Sequence, residues 1–240
     1  MRLGLFGTGR LGSAMAEAAR EASDLELKWQ VDLEVPPAIP VDLVLEATVA
    51  EAVPNRVTWA LEHGVDLVIG TTGWSLPDLR ERIGDRIGVL VSPNFSLTVA
   101  LMARFSRILG AYAALAPDRD PYVLEHHHRL KADAPSGTAI RLAQAVLAGC
   151  SRKSTWAVGG QAPEQLNVGV LRAGSEFGRH TVGFDGLHET FELTHRARSR
   201  RVFAEGALAA ARFVRGRKGV HTMDDVASDL LDPLFRQVLS

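Results

Sequence analysis

A glycine-rich turn near the N-terminus constrains this chain more than any other feature. Gly7, Gly9 and Gly12 form a GxGxxG run. It follows an apolar stretch, Arg2–Phe6, that reads as a strand, and opens an amphipathic stretch, Leu11–Arg20, that reads as a helix. The first glycine permits a tight turn, the second lets a pyrophosphate approach the backbone, and the third lets helix and strand pack closely. Helix N-terminal amides then face the phosphates. Thr8, Arg10 and Leu11 complete the loop. Asp32 stands about 20 positions after Gly12, at the end of the next predicted strand, Leu25–Val31, where a carboxylate can accept hydrogen bonds from ribose hydroxyls. A strand–helix turn without a ligand needs none of this context. The expected cofactor is NADH and/or NADPH. After Asp32 come Leu33, Glu34, Val35 and two prolines, with no lysine or arginine until Arg56, so NADH should serve at least as well as NADPH. Arg10 is the only residue of the loop able to swing toward a 2′-phosphate.

The first half continues the alternation. Val41–Ala47, Val65–Ile69 and Ile87–Val91 read as buried strands, Glu51–His63 and Leu76–Ile83 as helices, and Gly64 as a helix stop. Buried strands followed by helices predict a parallel sheet covered on both faces. Two loops, Gly70-Thr71-Thr72-Gly73 and Ser92-Pro93-Asn94-Phe95-Ser96, fall at predicted strand ends. Alone, each would be an ordinary turn. Open α/β sheets bind ligands at strand ends, so Gly70, Thr71, Thr72, Ser92, Asn94 and Phe95 join the cofactor-binding candidates.

The pattern changes after Asn94. Leu97–Leu115 reads as a long helix, Tyr122–His127 as a strand and Ser136–Ala148 as a helix. Asn167–Leu171, His180–Phe184 and Thr190–His195 read as antiparallel strands between glycine-containing turns, and Cys150–Glu164 as a polar loop. Val202–Val214 and Met223–Val238 are amphipathic helices again. The fold class is α/β: a Rossmann-type doubly wound parallel sheet, residues 1–97 and 201–240, interrupted by an α+β domain, 98–200, with an open mixed sheet. Too few helices follow Asn167 to cover both faces of that sheet, so it should carry a self-association surface. With 240 residues, 46% of them hydrophobic, two cores are possible. A net charge of -1 gives no general attraction to nucleic acid or to an anionic membrane. No segment reads as a membrane span, and the short apolar N-terminus is no secretory signal. The single cysteine, Cys150, excludes an intrachain disulfide and fits a reducing cytoplasm.

The densest polar run is Glu125-His126-His127-His128-Arg129-Leu130-Lys131-Ala132-Asp133-Ala134-Pro135-Ser136-Gly137-Thr138-Ala139. It leaves a strand and opens a helix. Ser136, Gly137 and Thr138 at that helix N-terminus offer hydroxyls and amides to an anion, and Lys131 adds a full charge. A histidine beside them can donate a proton near neutral pH. The parts make a carboxylate cradle with an adjacent acid, suited to a small dicarboxylate substrate. The plain alternative is a capped helix after a solvated basic loop. A metal is not expected, because neighbouring histidines on a strand point to opposite faces and no second cluster supplies a fourth ligand.

GTGRLG, GTTG, SPNFS, EHHHRLKADAPSGTA, THRARSR (Thr194–Arg200) and TMDDV (Thr222–Val226) together resemble the dihydrodipicolinate reductases of bacterial lysine biosynthesis, in order over essentially the whole chain. The resemblance implies NAD(P)H-dependent reduction of (hydroxy-tetra)dihydrodipicolinate to tetrahydrodipicolinate in the cytoplasm. It implies His127 as proton donor and His128, Lys131, Ser136, Gly137 and Thr138 as substrate-binding residues, with Lys131 counted as catalytic because it neutralises substrate charge. It also implies that the last two helices return to the dinucleotide domain, and that the second domain's sheet builds a homotetramer. The link from Asp32 to Val41 is short for that family, His126 stands where a smaller or apolar residue is expected, and Cys150–Glu164 has no match in it. Two rival readings share the glycine loop. Another two-domain nicotinamide-dependent dehydrogenase would not need the Lys131–Thr138 cradle, and a non-catalytic dinucleotide sensor would tolerate loss of His127 and Lys131.

Overall fold

The computed structural model describes the backbone of residues 1–239 and the side chains of 1–237; Ser240, the last residue of the expected dinucleotide domain, lies outside the described residues. Two compact units emerge: Met1–Leu97 with the C-terminal segment from Arg200, and Thr98–Ser199.

In the first unit, side-chain alternation splits the apolar residues of each strand between two helix-covered faces. Strands β1 (Arg2–Phe6), β2 (Glu26–Val31), β3 (Leu43–Glu46), β4 (Asp66–Ile69), β5 (Gly88–Val91) and β11 (Gly219–Thr222) form one parallel sheet in the order β2-β1-β3-β4-β5-β11. Leu3, Leu5, Leu43, Leu45, Val68 and Leu90 bury one face with Met15 and Ala19 of α1 (Arg10–Glu21) and Ala207 and Ala211 of α6 (Arg201–Val214). Phe6, Val44, Leu67, Ile69 and Val89 bury the other with Val57 and Ala60 of α2 (Val53–His63) and Ile83 of α3 (Leu79–Ile83). Helix α2 ends where Gly64 turns left-handed at φ 63°. The buried carboxylate of Asp66 accepts from the amides of Gly88 and Gly216, both at 2.7 Å, and so ties β4 to β5 and to the turn before β11. The four residues of β11, which sequence patterning does not mark as a strand, extend the sheet edge just before α7 (Met223–Leu239).

The second unit has a five-stranded sheet, order β10-β9-β6-β8-β7. Its elements are α4 (Leu97–Ala114), β6 (Asp120–His127), α5 (Gly137–Gly149), β7 (Thr155–Val158), β8 (Gln165–Arg172), β9 (Gly178–Asp185) and β10 (Thr190–Ala197). The sequence reading needs two corrections here. β8 is not antiparallel to its neighbours: it pairs parallel with β6 and β7, because the crossover through α5 returns the chain in the same direction. The expected loop Cys150–Glu164 contains β7, a short edge strand with no strong apolar period. Lys153 anchors that segment, its ammonium bonded to the carbonyls of Pro163 and Gln165 and paired with Asp120.

One face of this sheet, with Val123, Leu166, Val168, Val182 and Phe184, buries against Met102, Leu109 and Ala113 of α4 and Leu142, Ala143 and Val146 of α5. Helix α4, 18 residues at mean hydropathy 1.2, reaches the length and apolarity of a membrane span that the sequence reading found nowhere. It carries Arg104 and Arg107, and its buried face belongs to this core. The opposite sheet face bears Leu124 (45% exposed) and Leu171 (51%) beside Tyr122, Thr194 and Arg196, and no described helix of this unit packs on it.

Candidate active site

All strands of the first sheet run in one direction, so the loops after β1, β2, β4 and β5 gather at one edge. Backbone proximity dictates the glycines after β1. Gly7 has φ 121°, and a Cβ there would lie 2.4 Å from the Ala47 carbonyl oxygen; a Cβ on Gly12 would lie 2.2 Å from the Gly7 oxygen. Gly9, the residue before α1, faces open space. No side chain caps α1, and its first turn holds no acidic residue, so its amides are available to an anion. Asp32 follows β2, and its Oδ1 accepts from the Thr8 amide at 3.3 Å. Arg56 donates to the Asp32 carbonyl oxygen at 2.9 Å, but its guanidinium lies 3.9 Å over the Phe6 ring, and burial pushes its pKa down. Burial and then nearness to Arg10 lower the pKa of Arg200, so two guanidinium groups share the surroundings of the loop.

The other two loops contribute unequally. The buried Thr71 hydroxyl has no hydrogen-bond partner among the described residues, while its carbonyl accepts from Trp74 Nε1 at 2.8 Å. Thr72 is exposed. Ser92 Oγ donates to the Asn94 carbonyl and accepts the Asn94 amide; Asn94 Oδ1 in turn accepts the Ser96 amide. Phe95 is buried, its ring against the Cα of Gly70. Ser92 and Phe95 therefore shape the edge from within. An uncapped helix start behind a close-packed glycine turn, a carboxylate beyond the next strand and an orphaned hydroxyl fit a dinucleotide.

The second unit collects the polar run around a buried carboxylate. Glu125 shares the covered face of β6 with Val123 and His127, and its side chain is fully buried. Its Oε1 accepts from the Ser136 amide at 2.9 Å and from Arg172 of β8 at 2.8 Å. Its Oε2 lies 3.1 Å from His127 Nδ1 and 3.7 Å from His180 Nε2 of β9. Burial opposes ionisation of Glu125, but the nearby His127 imidazole together with hydrogen bonds from Ser136 and Arg172 outweighs it and holds the carboxyl well below the usual range. His180 is pushed down to about 4, first by burial and then by His127, and is neutral near pH 7.

The cradle residues surround this cluster. The Ser136 hydroxyl caps α5, accepting from the Ala139 amide, and lies 3.2 Å from His180 Nε2; the buried side chain is thus committed to the helix. Gly137 opens α5 with free space around its Cα, and the first turn holds no acidic residue. Lys131 Nζ pairs with Asp133 at 2.6 Å, and the Gly137 amide contributes to lowering the Asp133 pKa against burial. An internal carboxylate thus lies between lysine and helix N-terminus. His128 is half-buried, its amide donating to the Glu176 carbonyl. His126 lies on the open face and donates from Nε2 to the Ala173 carbonyl at 3.0 Å, a structural bond. Glu125, His127 and His180 offer three ligand atoms within 4.8 Å, the spacing of a metal site. The Arg172 guanidinium already neutralises the carboxylate, which opposes a second cation.

Sequence reasoning missed Glu125, Arg172, His180 and Arg200. The first three had a readable signal: each shares strand parity with core residues, Val123, Val170 and Val182. Arg200 closes the THRARSR run that marks the family resemblance, but that run gave the residue no role of its own.

The two units have the make-up of a dinucleotide-binding oxidoreductase: a nucleotide sheet and a separate acid–base cluster beside a helix N-terminus. Residues 97–227 match the family described as dihydrodipicolinate reductase, C-terminus, and residues 35–95 its N-terminus counterpart. The chain belongs to the dihydrodipicolinate reductase family. The 4-hydroxy-tetrahydrodipicolinate reductase of Methanoregula boonei is 37% identical over 245 residues, 91% of this chain and 94% of that protein. That of Myxococcus xanthus is 37% identical over 238 residues, 92% and 86% of the two chains. A dipicolinate-bound dihydrodipicolinate reductase from a Paenisporosarcina species shares the fold at TM-score 0.75 and 22% identity, over 92% of this chain and 97% of that one. The glycine loop and Asp32 precede the matched stretch, so their reading rests on the geometry above.

The depressed His180 pKa makes a stability prediction. The unfolded chain protonates this group near 6.5 and the folded one near 4, so the unfolded state binds more protons within that window. Folding stability should fall as pH drops from about 6.5 to about 4. His180→Gln should flatten that slope in urea unfolding followed across the window. An unchanged slope would mean that His180 is not held neutral.

Proposed function

We propose that this chain reduces a cyclic, unsaturated imine dicarboxylate, (hydroxy-tetra)dihydrodipicolinate, to tetrahydrodipicolinate in the diaminopimelate and lysine pathway. The observation that carries this reading is the buried Glu125–His127 pair beside the start of α5, with Lys131 in the intervening loop. The names of the relatives and the dipicolinate bound to the Paenisporosarcina enzyme support a dicarboxylate of this class.

The amides at the start of α1 would hold the pyrophosphate of a nicotinamide dinucleotide, and Asp32 would accept from its ribose hydroxyls. When bound in reduced form, that cofactor would supply the hydride for the ring carbon. Lys131 and the amides of Gly137 and Thr138 hold a substrate carboxylate, displacing Asp133 from between them. Ser136 sets the helix start, and His128 lines the same segment. His127 moves a proton from Nε2 to the enamine carbon, its Nδ1 being turned to Glu125. Lys131 also offsets negative charge growing on the ring nitrogen. The buried lone Cys150 suits a cytoplasmic setting.

The open face of the second sheet supports a homotetramer. An apolar groove of about 500 Å³, lined by Phe105, Ile108, Tyr112, Phe184 and Phe191 of the same unit, adds to the surface a partner copy would cover. Sedimentation at micromolar concentration should give a closed oligomer; a monomer would count against this assembly.

Cofactor choice turns on Asp32. Its carboxylate repels a 2′-phosphate, and Arg56 is already engaged beneath it, so NADH should be used at least as well as NADPH. Asp32→Ala should shift kcat/KM toward NADPH. A strong NADPH preference in the unaltered protein would overturn this reading.

His127 and Lys131 should differ in kinetic signature when nicotinamide oxidation is followed with the product of the preceding pathway enzyme. His127→Ala should lower kcat by about 10²–10⁴ and change KM less. Lys131→Ala should raise KM as well as lower kcat, and Lys131→Arg should rescue only in part. Nicotinamide dinucleotide binding should survive both. Turnover near the unaltered level in both alanine variants would favour a non-catalytic dinucleotide sensor.

A further inference from the structure

We infer that Glu125 is the positioning residue of the reaction: its buried carboxylate fixes the His127 imidazole with Nδ1 inward and Nε2 outward, and ties that orientation to the start of α5. The inference rests on the reading of His127 as proton donor. The geometry behind it lies wholly within the second unit.

A carboxylate with two oxygens can serve two partners at once, and Glu125 divides them by function. Oε1 holds the Ser136 amide and Arg172; Oε2 faces His127 Nδ1 at 3.1 Å. The Ser136 amide belongs to the residue that caps α5, so one side chain spaces the proton donor from the proposed anion cradle. Nε2 points the other way, toward Gly178, where a Cβ would stand 3.1 Å from it. Glycine keeps that approach clear.

The charges facing His127 pull in opposite directions. Glu125 from β6 favours the imidazolium. Arg172 from β8 and Lys131 from the following loop oppose it, as does any charge on His180 of β9. His180 remains neutral near pH 7, and His195 of β10, behind it, is likewise lowered by burial. The Ser136 hydroxyl from α5 is neutral. Glu125 is thus the only anion in contact with the ring among these groups. It favours both the Nδ1–H tautomer of the neutral ring and the protonated form that a proton donor must reach.

Two measurements on the whole 240-residue chain test this. ¹⁵N-histidine NMR should find neutral His127 as the Nδ1–H tautomer, and Glu125→Gln should convert it to Nε2–H, because the amide can donate to Nδ1. In the same variant kcat should fall roughly 10²-fold with KM nearly constant, and the basic limb of the kcat–pH profile should move to lower pH. Glu125→Asp, which keeps the charge, should restore the tautomer and most of the limb position. An Nε2–H tautomer in the unaltered protein overturns the inference even where Glu125→Gln fails to fold. So does activity lost to a chelator and restored by zinc, which would make the trio a metal site. A tautomer switch with no change in kcat or its pH profile would leave the orientation standing, but would remove His127 as donor and with it the part of Glu125 in the reaction.

Discussion

A carboxylate can be buried in a protein interior only if its charge is met on every side, and Glu125 is the point at which the second unit satisfies that demand. Its partners come from separate elements: Arg172 from β8, the Ser136 amide from the start of α5, His127 from its own strand and His180 from β9. Each must be in register for the charge to be tolerated. The parallel pairing of β6 with β8 sets Arg172 opposite His127, and the antiparallel pairing with β9 sets His180 opposite Glu125. The mixed sheet is thus a requirement of the cluster. An all-antiparallel arrangement with β8 beside β9 would move the guanidinium away from the carboxylate.

The two units use the chain in different ways. In the first, the backbone forms the candidate site. Glycines bring main-chain atoms close together, and the start of α1 has no side-chain cap and no acidic residue in its first turn, which suits an anion. In the second, side chains of one covered sheet face hold one another, and the backbone of α5 is aimed by a carboxylate rather than by a glycine turn. The consequence is a difference in tolerance. A methyl group at Gly7 or Gly12 meets main-chain atoms that cannot give way. Replacing Glu125 with an isostere keeps the shape of its site and changes only charge and tautomer.

Sequence patterning made the first unit legible because its strands are buried on both faces and its helices begin and end on recognisable residues. The left-handed Gly64 that closes α2 is one example. Patterning failed where an element is short and half-exposed. The four residues of β7 and the four of β11 are held by pairing with neighbours that sequence distance hides. It also failed on the direction of β8, since three strands in a row read alike whichever neighbour they choose. Of the candidate site, the glycines, Asp32 and the His–Lys segment were legible as residue types at fixed spacing. Ser136 was legible as a helix cap, but the direction of its hydroxyl, into the helix and toward His180, depends on a strand residue 44 positions downstream.

The three consecutive histidines show what alternation settles and what it does not. His126 and His127 must point to opposite faces of β6, so one meets the open face and the other the core. The structure gives His126 a backbone carbonyl as partner and leaves His127 beside the only carboxylate on the covered face of that strand. His128 lies just beyond β6, and its backbone pairs with the turn at Glu176. A change of register by one residue would carry Glu125 and His127 together to the open face and bring Leu124 and His126 to the covered one. What prevents the slip is Val123, whose burial in the core fixes the parity of the whole strand. The chemistry of the cluster is therefore held in place by an apolar residue that takes no part in it.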